Sequence, residues 1–193
     1  MSVRDHFVQF FDSGENRCEA VAGFLAAGHR TGSSLLVIAR PSHWVGIQDR
    51  LGPDGVAIRR QMIQGRVIVL DARETLHRIS RNGIPDAALF NEVVGALMVR
   101  LAAFGPVCAY GEMVDLLAER GDYGDAVRLE RFWNRTASRE PLSLMCGYSA
   151  AHFVSDETHR ALRDICSAHS AVRTDPQDPL AVWLLSPRSH APR

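Results

Sequence analysis

Lysine is absent from this sequence of 193 residues, and all 22 basic side chains are arginine. P-loop NTPases place a lysine against the β- and γ-phosphates, protein kinases use a strand lysine, and Schiff-base enzymes need an amine. Arginine cannot act as the base or nucleophile in such sites because its guanidinium keeps its proton. The missing lysine therefore argues against several large classes of enzyme.

An excess of charge and long apolar runs are also missing. The 22 acidic side chains balance the 22 arginines, so no net charge attracts nucleic acid or an anionic membrane. No apolar stretch reaches the roughly 18 residues that span a membrane, and the first residues lack the apolar run of a secretory signal. We expect a cytoplasmic protein that contacts neither membrane nor nucleic acid directly.

Cysteine is scarce, and its four copies, Cys18, Cys108, Cys146 and Cys166, are far apart in apolar segments. In a chain of this size without a secretory signal, this pattern predicts buried free thiols rather than disulfides. The pair Cys166-x-x-His169 could supply two metal ligands, but a site needs three or four, and no second pair has a comparable spacing. We therefore predict neither a metal site nor a cofactor.

The sequence does contain apolar, strand-like runs that alternate with segments of helical periodicity. Strands are predicted at residues 6–11, 33–39, 66–71, from 107, from 142, and at 180–186. Helices are predicted at residues 15–27, from 41, from 85 or 86 to 104, and at 113–120, 123–138 and 155–168. This order predicts one three-layer α/β domain with a mainly parallel sheet over residues 1–186, and a loose tail at 187–193.

The carboxyl ends of the predicted strands carry most of the candidate functional residues. Ligands of open parallel sheets bind beyond these ends. The segments that would meet there are residues 12–16, 40–43, 71–73, 111–113 and 148–152. Glu112 follows the strand "VCAYG", so we expect it to face the crevice, and we expect Glu112→Gln to change a ligand response while leaving the fold largely intact. Helix capping explains each of these residues equally well when it is taken singly.

Two motifs resemble catalytic signatures without completing them. The loop "FFDSGENR" follows the first strand as a P-loop would, but it has one glycine and no Gly-Lys-Ser/Thr. The stretch "CGYSAAHF" places Ser149 in Gly-x-Ser-x-Ala, whereas the nucleophile elbow is Gly-x-Ser-x-Gly, so an alanine replaces the second glycine. We predict no catalytic residue, and a serine hydrolase that uses Ser149 is the alternative.

The order of several motifs resembles the MEDS family, the methanogen/methylotroph sensory domain. The motifs are "HFVQFFDSGE", "FLAAGHRTGSSLLVIA", "RVIVLDARETL", "YGEMVDLLAERGDYGDAVRLERFWN", "PLSLMCGYSAAHF" and "ICSAHSAV". They run from about residue 6 to residue 172. Each is loose by itself, and Gly-Glu-Met followed by the helix with "FWN" and then by "CGY" is the more specific combination.

The resemblance implies a RecA/KaiC-like fold, similar to P-loop NTPases but without a working Walker A motif, and a sensory role in prokaryotic signalling. Members of the family occur beside helix-turn-helix or histidine-kinase modules, and one is the sensor part of a repressor that governs dichloromethane use, which implies small hydrocarbon-derived ligands. This sequence departs from the family in two ways. It has no recognisable DNA-binding or kinase segment, and Ser149 stands where an acidic residue is common.

Together, the residue pattern and the resemblance predict a non-enzymatic ligand-binding domain that signals through a separate protein, such as a histidine kinase or a transcription regulator. A homodimer and a ligand-free interaction module are left open. The small ligand would bind at the strand-end crevice. The predicted contacts are His6, Gln9, Asp12, Arg40, Glu112, Met113 and Tyr148.

Overall fold

The computed structural model describes residues 5–173, which form a sheet with helices on both faces. The strands are β1 (Asp5–Phe11), β2 (Ser34–Ala39), β3 (Val67–Asp71), β4 (Ser80–Arg81), β5 (Ile84–Pro85), β6 (Val107–Gly111), β7 (Leu142–Ser149) and β8 (Ala171–Arg173). Six of them form one sheet in the order β3-β2-β6-β7-β1-β8, and all of its neighbouring strands are parallel. β4 and β5 form a separate antiparallel pair.

Nine α-helical segments occur within residues 5–173. They are α1 (Gly14–Arg30), α2 (Pro41–Arg50), α3 (Asp54–Ile63), α4 (Ala72–Arg78), α5 (Ala87–Phe90), α6 (Ala96–Ala102), α7 (Met113–Glu119), α8 (Tyr123–Ala137) and α9 (His159–Ser167). A π-helical turn, Asn91–Gly95, joins α5 to α6, and a 3-10 turn, Ala150–Phe153, follows β7. In this part of the chain, no helix has the length and apolar character needed to cross a bilayer.

Two apolar cores, one on each face of the sheet, hold the three layers together. All six residues of β2 are buried, which explains why its sequence is apolar throughout instead of alternating. Leu35 and Val37 pack with α1 to α3, while Leu36 and Ile38 pack with the helices from α4 to α9. The predicted three-layer α/β domain with a parallel sheet is therefore confirmed.

The crossover connections that leave β2 and β6 run toward opposite edges of the sheet. From β2, the connection through α2 and α3 leads outward to β3, whereas from β6 the connection through α7 and α8 leads the other way to β7. These two connections cover opposite faces. The carboxyl ends of β2 and β6 thus border the topological switch point, where open α/β sheets bind their ligands.

Gly147 on β7 allows an unusually close approach next to this point. A Cβ atom at Gly147 would lie 2.8 Å from the hydroxyl oxygen of Tyr110 and 3.2 Å from the ring of Phe11. Any larger residue would displace the Tyr110 ring. The glycine of "CGY" therefore allows the Tyr110 hydroxyl to occupy its observed position.

Local structure departs from the sequence prediction at several places, among them the edge strand β8, which was not predicted. Asn82 and Gly83 both have positive φ, 52° and 82°, and form the two-residue turn of the β4–β5 hairpin, which the prediction missed. The helix predicted up to residue 104 contains the π-helical turn, and the helix predicted from 155 begins at His159 as α9. The strand predicted at 180–186 and the tail at 187–193 lie outside the described residues, so the boundary at 186 stays a prediction.

Candidate functional site

Charged side chains from both sides of the switch point converge there on two buried carboxylates. We call this group the Glu112–Asp115 cluster. Its members are Arg17, Arg40, His43, Tyr110, Glu112, Asp115 and His152. Arg40 follows β2 and Glu112 follows β6, as the strand-end rule predicts, so the structure does bring these two predicted residues together.

Glu112 is completely buried, and a hydroxyl, a backbone N–H and an imidazole nitrogen lie within hydrogen-bond distance of its carboxylate. The Tyr110 hydroxyl donates to Oε1 at 2.9 Å, and the backbone N–H of Arg40 donates to Oε2 at 3.1 Å. Nδ1 of His43 lies 2.9 Å from Oε2. The expectation that Glu112 faces an open crevice is wrong, because these neighbours enclose the carboxylate.

Asp115 is the second carboxylate, and the sequence prediction missed it. Arg40 Nη2 donates to its Oδ2 at 2.9 Å, Arg17 Nη2 lies 3.3 Å from the same oxygen, and the N–H of Ser149 donates to Oδ1 at 2.6 Å. Burial alone would raise the pKa of Asp115, but His152, the Arg17 charge and the Ser149 amide hold that pKa well below its usual range. Asp115 is therefore a fixed negative charge at neutral pH.

The outer edge of the cluster is partly open to solvent. The side chains of Arg40, His43 and His152 are 21 %, 22 % and 20 % exposed, whereas the carboxylates beneath them are at most 2 % exposed. Arg40 Nε and His152 Nε2 are buried and make no hydrogen bond within the described part of the chain. Arg40 Nε lies 3.7 Å from Glu112 Oε2 and His152 Nε2 lies 3.3 Å from Asp115 Oδ1, so both nitrogens face the carboxylates, and a small molecule would contact the exposed parts of these side chains instead.

Gln9 and Asp12 lie at the carboxyl end of β1, where they line a surface cavity of about 230 Å³ together with Asn16 and Glu19. The Asp12 carboxylate accepts a hydrogen bond of 2.8 Å from the Asn16 side chain. The structure therefore keeps these two predicted contacts at the strand ends, in a recess that is bounded by residues other than Arg40 and Glu112.

His6, Met113 and Tyr148 do not face the crevice, contrary to the prediction. His6 is the second residue of β1 and so lies at the opposite end of the sheet, 4 % exposed. The Tyr148 side chain points into the helix layer, where its hydroxyl donates to Glu130 at 2.8 Å. Met113 is 1 % exposed and belongs to the apolar core under α7.

Ser149 has the wrong surroundings for a nucleophile elbow. Its backbone is extended, with φ −78° and ψ 128°, rather than sharply turned. Its amide contacts Asp115, and within residues 5–173 no hydrogen bond joins its hydroxyl to a histidine. The acid–base–nucleophile geometry that a serine hydrolase requires is therefore not assembled in this part of the chain.

The cysteine prediction is largely confirmed within residues 5–173. Cys18, Cys108 and Cys146 are buried free thiols, and Cys166 is a half-buried one. The Cys166-x-x-His169 pair does not act together, because His169 turns into a second polar cluster around Glu130 and Cys166 is not among its members.

Comparison with known proteins adds one finding to this geometry. Residues 5–170 match the model of the MEDS family, described as the MEthanogen/methylotroph, DcmR Sensory domain. The matched segment contains both polar clusters. A search of curated proteins finds no match.

Proposed function

The chain belongs to the MEDS family of sensory domains, and on this premise we propose that it is a non-enzymatic sensor that binds a small ligand at the Glu112–Asp115 cluster. The observation that carries the proposal is the position of the cluster at the topological switch point, where one arginine and two histidines form a partly exposed edge above two buried carboxylates.

The chemistry of this edge defines the ligand class. The side chains of Arg40, His43 and His152 are each about one-fifth exposed and carry N–H groups that can donate hydrogen bonds. A small molecule with a hydrogen-bond acceptor, such as a hydroxyl, carbonyl or halogen group, would accept hydrogen bonds from these N–H groups. The family description links these domains to methanogens and methylotrophs, which accords with a small hydrocarbon-derived ligand.

Arg40 is the residue through which binding would change the structure. Its guanidinium bridges Asp115 at 2.9 Å and Glu119 at 3.1 Å, while its backbone N–H holds Glu112. A ligand that accepts from Arg40 competes for these bonds, and so favours a conformation in which the start of α2 shifts against α7.

The remaining parts of the proposal concern ancestry and output. We infer a RecA/KaiC-like relationship in which the segment after β1 no longer binds phosphate. This segment carries the carboxylates of Asp12 and Glu15 and has no lysine. The change at α2 and α7 would pass to a separate cytoplasmic protein, such as a histidine kinase or a transcription regulator, and Ser149 would take no catalytic part.

Thermal unfolding in the presence of single compounds tests the proposal. The compounds are short alcohols, halomethanes, short carboxylates and nucleotides. A binder present at a hundredfold excess over its dissociation constant raises the melting temperature by roughly 5–10 °C. We expect this shift in the wild type and in the control Arg60→Gln, which alters an exposed arginine of α3, and a much smaller shift in Arg40→Gln.

Two outcomes would overturn the proposal. An equal shift in Arg40→Gln would place the ligand elsewhere. The absence of any stabilising compound would support a ligand-free interaction domain, in which the cluster is filled by its own side chains.

A further inference from the structure

Four side chains with metal-binding atoms meet in a closed space on the helix layer that contains α8 and α9. We call this group, together with Tyr148, the Glu130 cluster. His6 comes from β1, Glu130 from α8, Cys146 from β7, and His169 from the segment after α9. One ligand atom from each of the four lies within 4.8 Å of all the others. Glu130 and Cys146 are fully buried, and the side chains of His6 and His169 are 4 % and 0 % exposed.

Several distances within this group are close to the edges of a tetrahedral site. Zinc bonds of about 2.0–2.3 Å place the ligand atoms of a tetrahedron roughly 3.3–3.8 Å apart. His6 Nε2 lies 3.3 Å from Cys146 Sγ and 3.3 Å from Glu130 Oε2. Cys146 Sγ lies 3.1 Å from Glu130 Oε2, and His169 Nε2 lies 3.3 Å from Glu130 Oε1. Only small movements would therefore place all four around one cation.

Both imidazoles are oriented as metal ligands are. Nδ1 of His6 lies 2.8 Å from the side-chain amide oxygen (Oδ1) of Asn134, and Nδ1 of His169 lies 2.7 Å from the backbone carbonyl oxygen of Ile165. Because carbonyl oxygens only accept, each Nδ1 carries a hydrogen, and a ring without a second proton presents its Nε2 lone pair to the cluster. Asn134 is itself held by its amide, which donates to the carbonyl of Ala168 at 2.7 Å.

This orientation leaves an electrostatic problem inside the group. Two Nε2 atoms and a buried carboxylate face one another, and His169 Nε2 makes no hydrogen bond within the described residues. Such a group needs positive charge, either as protons on the imidazoles or as a cation. The outward Nδ1–H bonds are the second-shell pattern that metal-ligating histidines show.

We propose that His6, Glu130, Cys146 and His169 bind one divalent transition-metal ion of the zinc type in a tetrahedral site. Binding displaces the thiol proton of Cys146 to solvent. The thiolate and the Glu130 carboxylate then balance the two positive charges of the ion, with both imidazoles neutral. Thiolate and imidazole ligands select zinc-like ions over magnesium or calcium, which prefer oxygen.

The site would be structural rather than catalytic. All four ligands come from the protein and are shielded from solvent, so no coordination position opens to a substrate. Its ligands join β1, β7, α8 and the segment after α9, which are far apart along the chain. A bound ion would therefore tie the end of the described chain to the centre of the sheet.

Cobalt(II) titration of chelator-treated wild-type protein tests the proposal directly. We expect one cobalt per chain, the intense visible bands of tetrahedral cobalt, and a near-ultraviolet charge-transfer band from one thiolate. Zinc should displace cobalt, and protein grown with zinc should contain one zinc per chain by mass spectrometry. Each added metal ion should release about one proton per thiol that it binds.

Matched cysteine variants locate the site. Cys146→Ser should remove the charge-transfer band and weaken binding by more than the roughly 10–100-fold that loss of a second-shell partner costs. Cys166→Ser alters the neighbouring half-buried thiol and should behave as wild type.

The proposal is wrong if wild-type protein carries no stoichiometric zinc and shows no tetrahedral cobalt spectrum, a result that does not depend on any variant folding. It is also wrong if Cys146→Ser keeps the charge-transfer band. In either case, protonated imidazoles would supply the positive charge, and two doubly protonated histidines would be visible by nitrogen-15 NMR.

Discussion

The Glu112–Asp115 cluster and the Glu130 cluster solve the same problem with different chemistry. Each contains a fully buried glutamate that accepts a hydrogen bond from a tyrosine. Tyr110 on β6 donates to Glu112, and Tyr148 on β7 donates to Glu130. A buried carboxylate needs a compensating positive charge. In the first cluster arginines supply it permanently, whereas in the second only histidines and a metal ion could supply it, so the charge there depends on conditions.

The two clusters also differ in their access to solvent. The Glu112–Asp115 cluster has an edge whose side chains, those of Arg40, His43 and His152, are each about one-fifth exposed. The second is closed, since His6 is its most exposed metal-ligand side chain, at 4 %. An open edge suits a molecule that arrives and leaves, and a closed centre suits an ion that stays.

Removal of the Glu130 carboxylate should have the largest effect on stability. Glu130→Ala leaves two imidazoles, a thiol and the Tyr148 hydroxyl without their shared partner at a site shielded from solvent. We expect a loss of about 3–5 kcal/mol in the free energy of unfolding. Urea unfolding with a chelator present measures this in metal-free protein. Glu92→Ala, an exposed control, should change the value by less than about 0.5 kcal/mol. An equally small change for Glu130→Ala would show that the cluster is not cohesive.

Removal of a single hydroxyl from each cluster sharpens the comparison. Tyr148→Phe and Tyr110→Phe each delete a donor to a buried carboxylate, at 2.8 Å and 2.9 Å. Hydrogen bonds to charged groups contribute about 1.5–3 kcal/mol, so each variant should lose stability in this range. We expect the larger loss for Tyr148→Phe because the partly exposed Arg40 and His43 can adjust around Glu112. Urea unfolding of the matched pair decides, and a larger loss for Tyr110→Phe would contradict the difference in enclosure.

Acid should reveal the smallest effect, in the arginine-rich cluster. The pKa of Asp115 is lowered in the folded protein relative to 3.8, so its stabilisation is fully present above that value and is lost as the pH falls below it. Between about pH 4 and 3, the wild type should lose up to about 1.4 kcal/mol more stability than Asp115→Asn does. Urea unfolding across this window measures the difference. Asp49→Asn, at an exposed control site, should follow the wild type. Parallel curves for wild type and Asp115→Asn would show that the carboxylate titrates normally.

Much of the fold, but only part of the site, follows from the sequence. Unbroken apolar runs such as that of β2 can be buried only on both faces, which predicts the parallel sheet. The strand-end rule then places Arg40 and Glu112 correctly. Asp115 was missed because it lies inside an apolar helical run, one turn after Glu112, where its burial comes from tertiary contacts with Arg17 and Arg40.

The Glu130 cluster could not be predicted from spacing. Its four potential ligands come from distant elements, and the one local pair, Cys166 and His169, separates in the structure. His6 was assigned to the wrong end of its strand, since the second residue of β1 lies at the end of the sheet opposite the crevice. The Asn82-Gly83 hairpin was also missed, although an Asn-Gly dipeptide is a strong signal for a two-residue hairpin turn.

The strand β7 has a consequence for communication within the molecule. Its successive residues serve the two clusters alternately. Cys146 and Tyr148 contact Glu130, Gly147 sets the position of Tyr110, and the Ser149 amide holds Asp115. A shift of this strand at one cluster therefore alters the other. Thermodynamic linkage is reciprocal, so occupancy of the inner site would change ligand affinity at the outer edge by the same factor by which the ligand changes metal affinity.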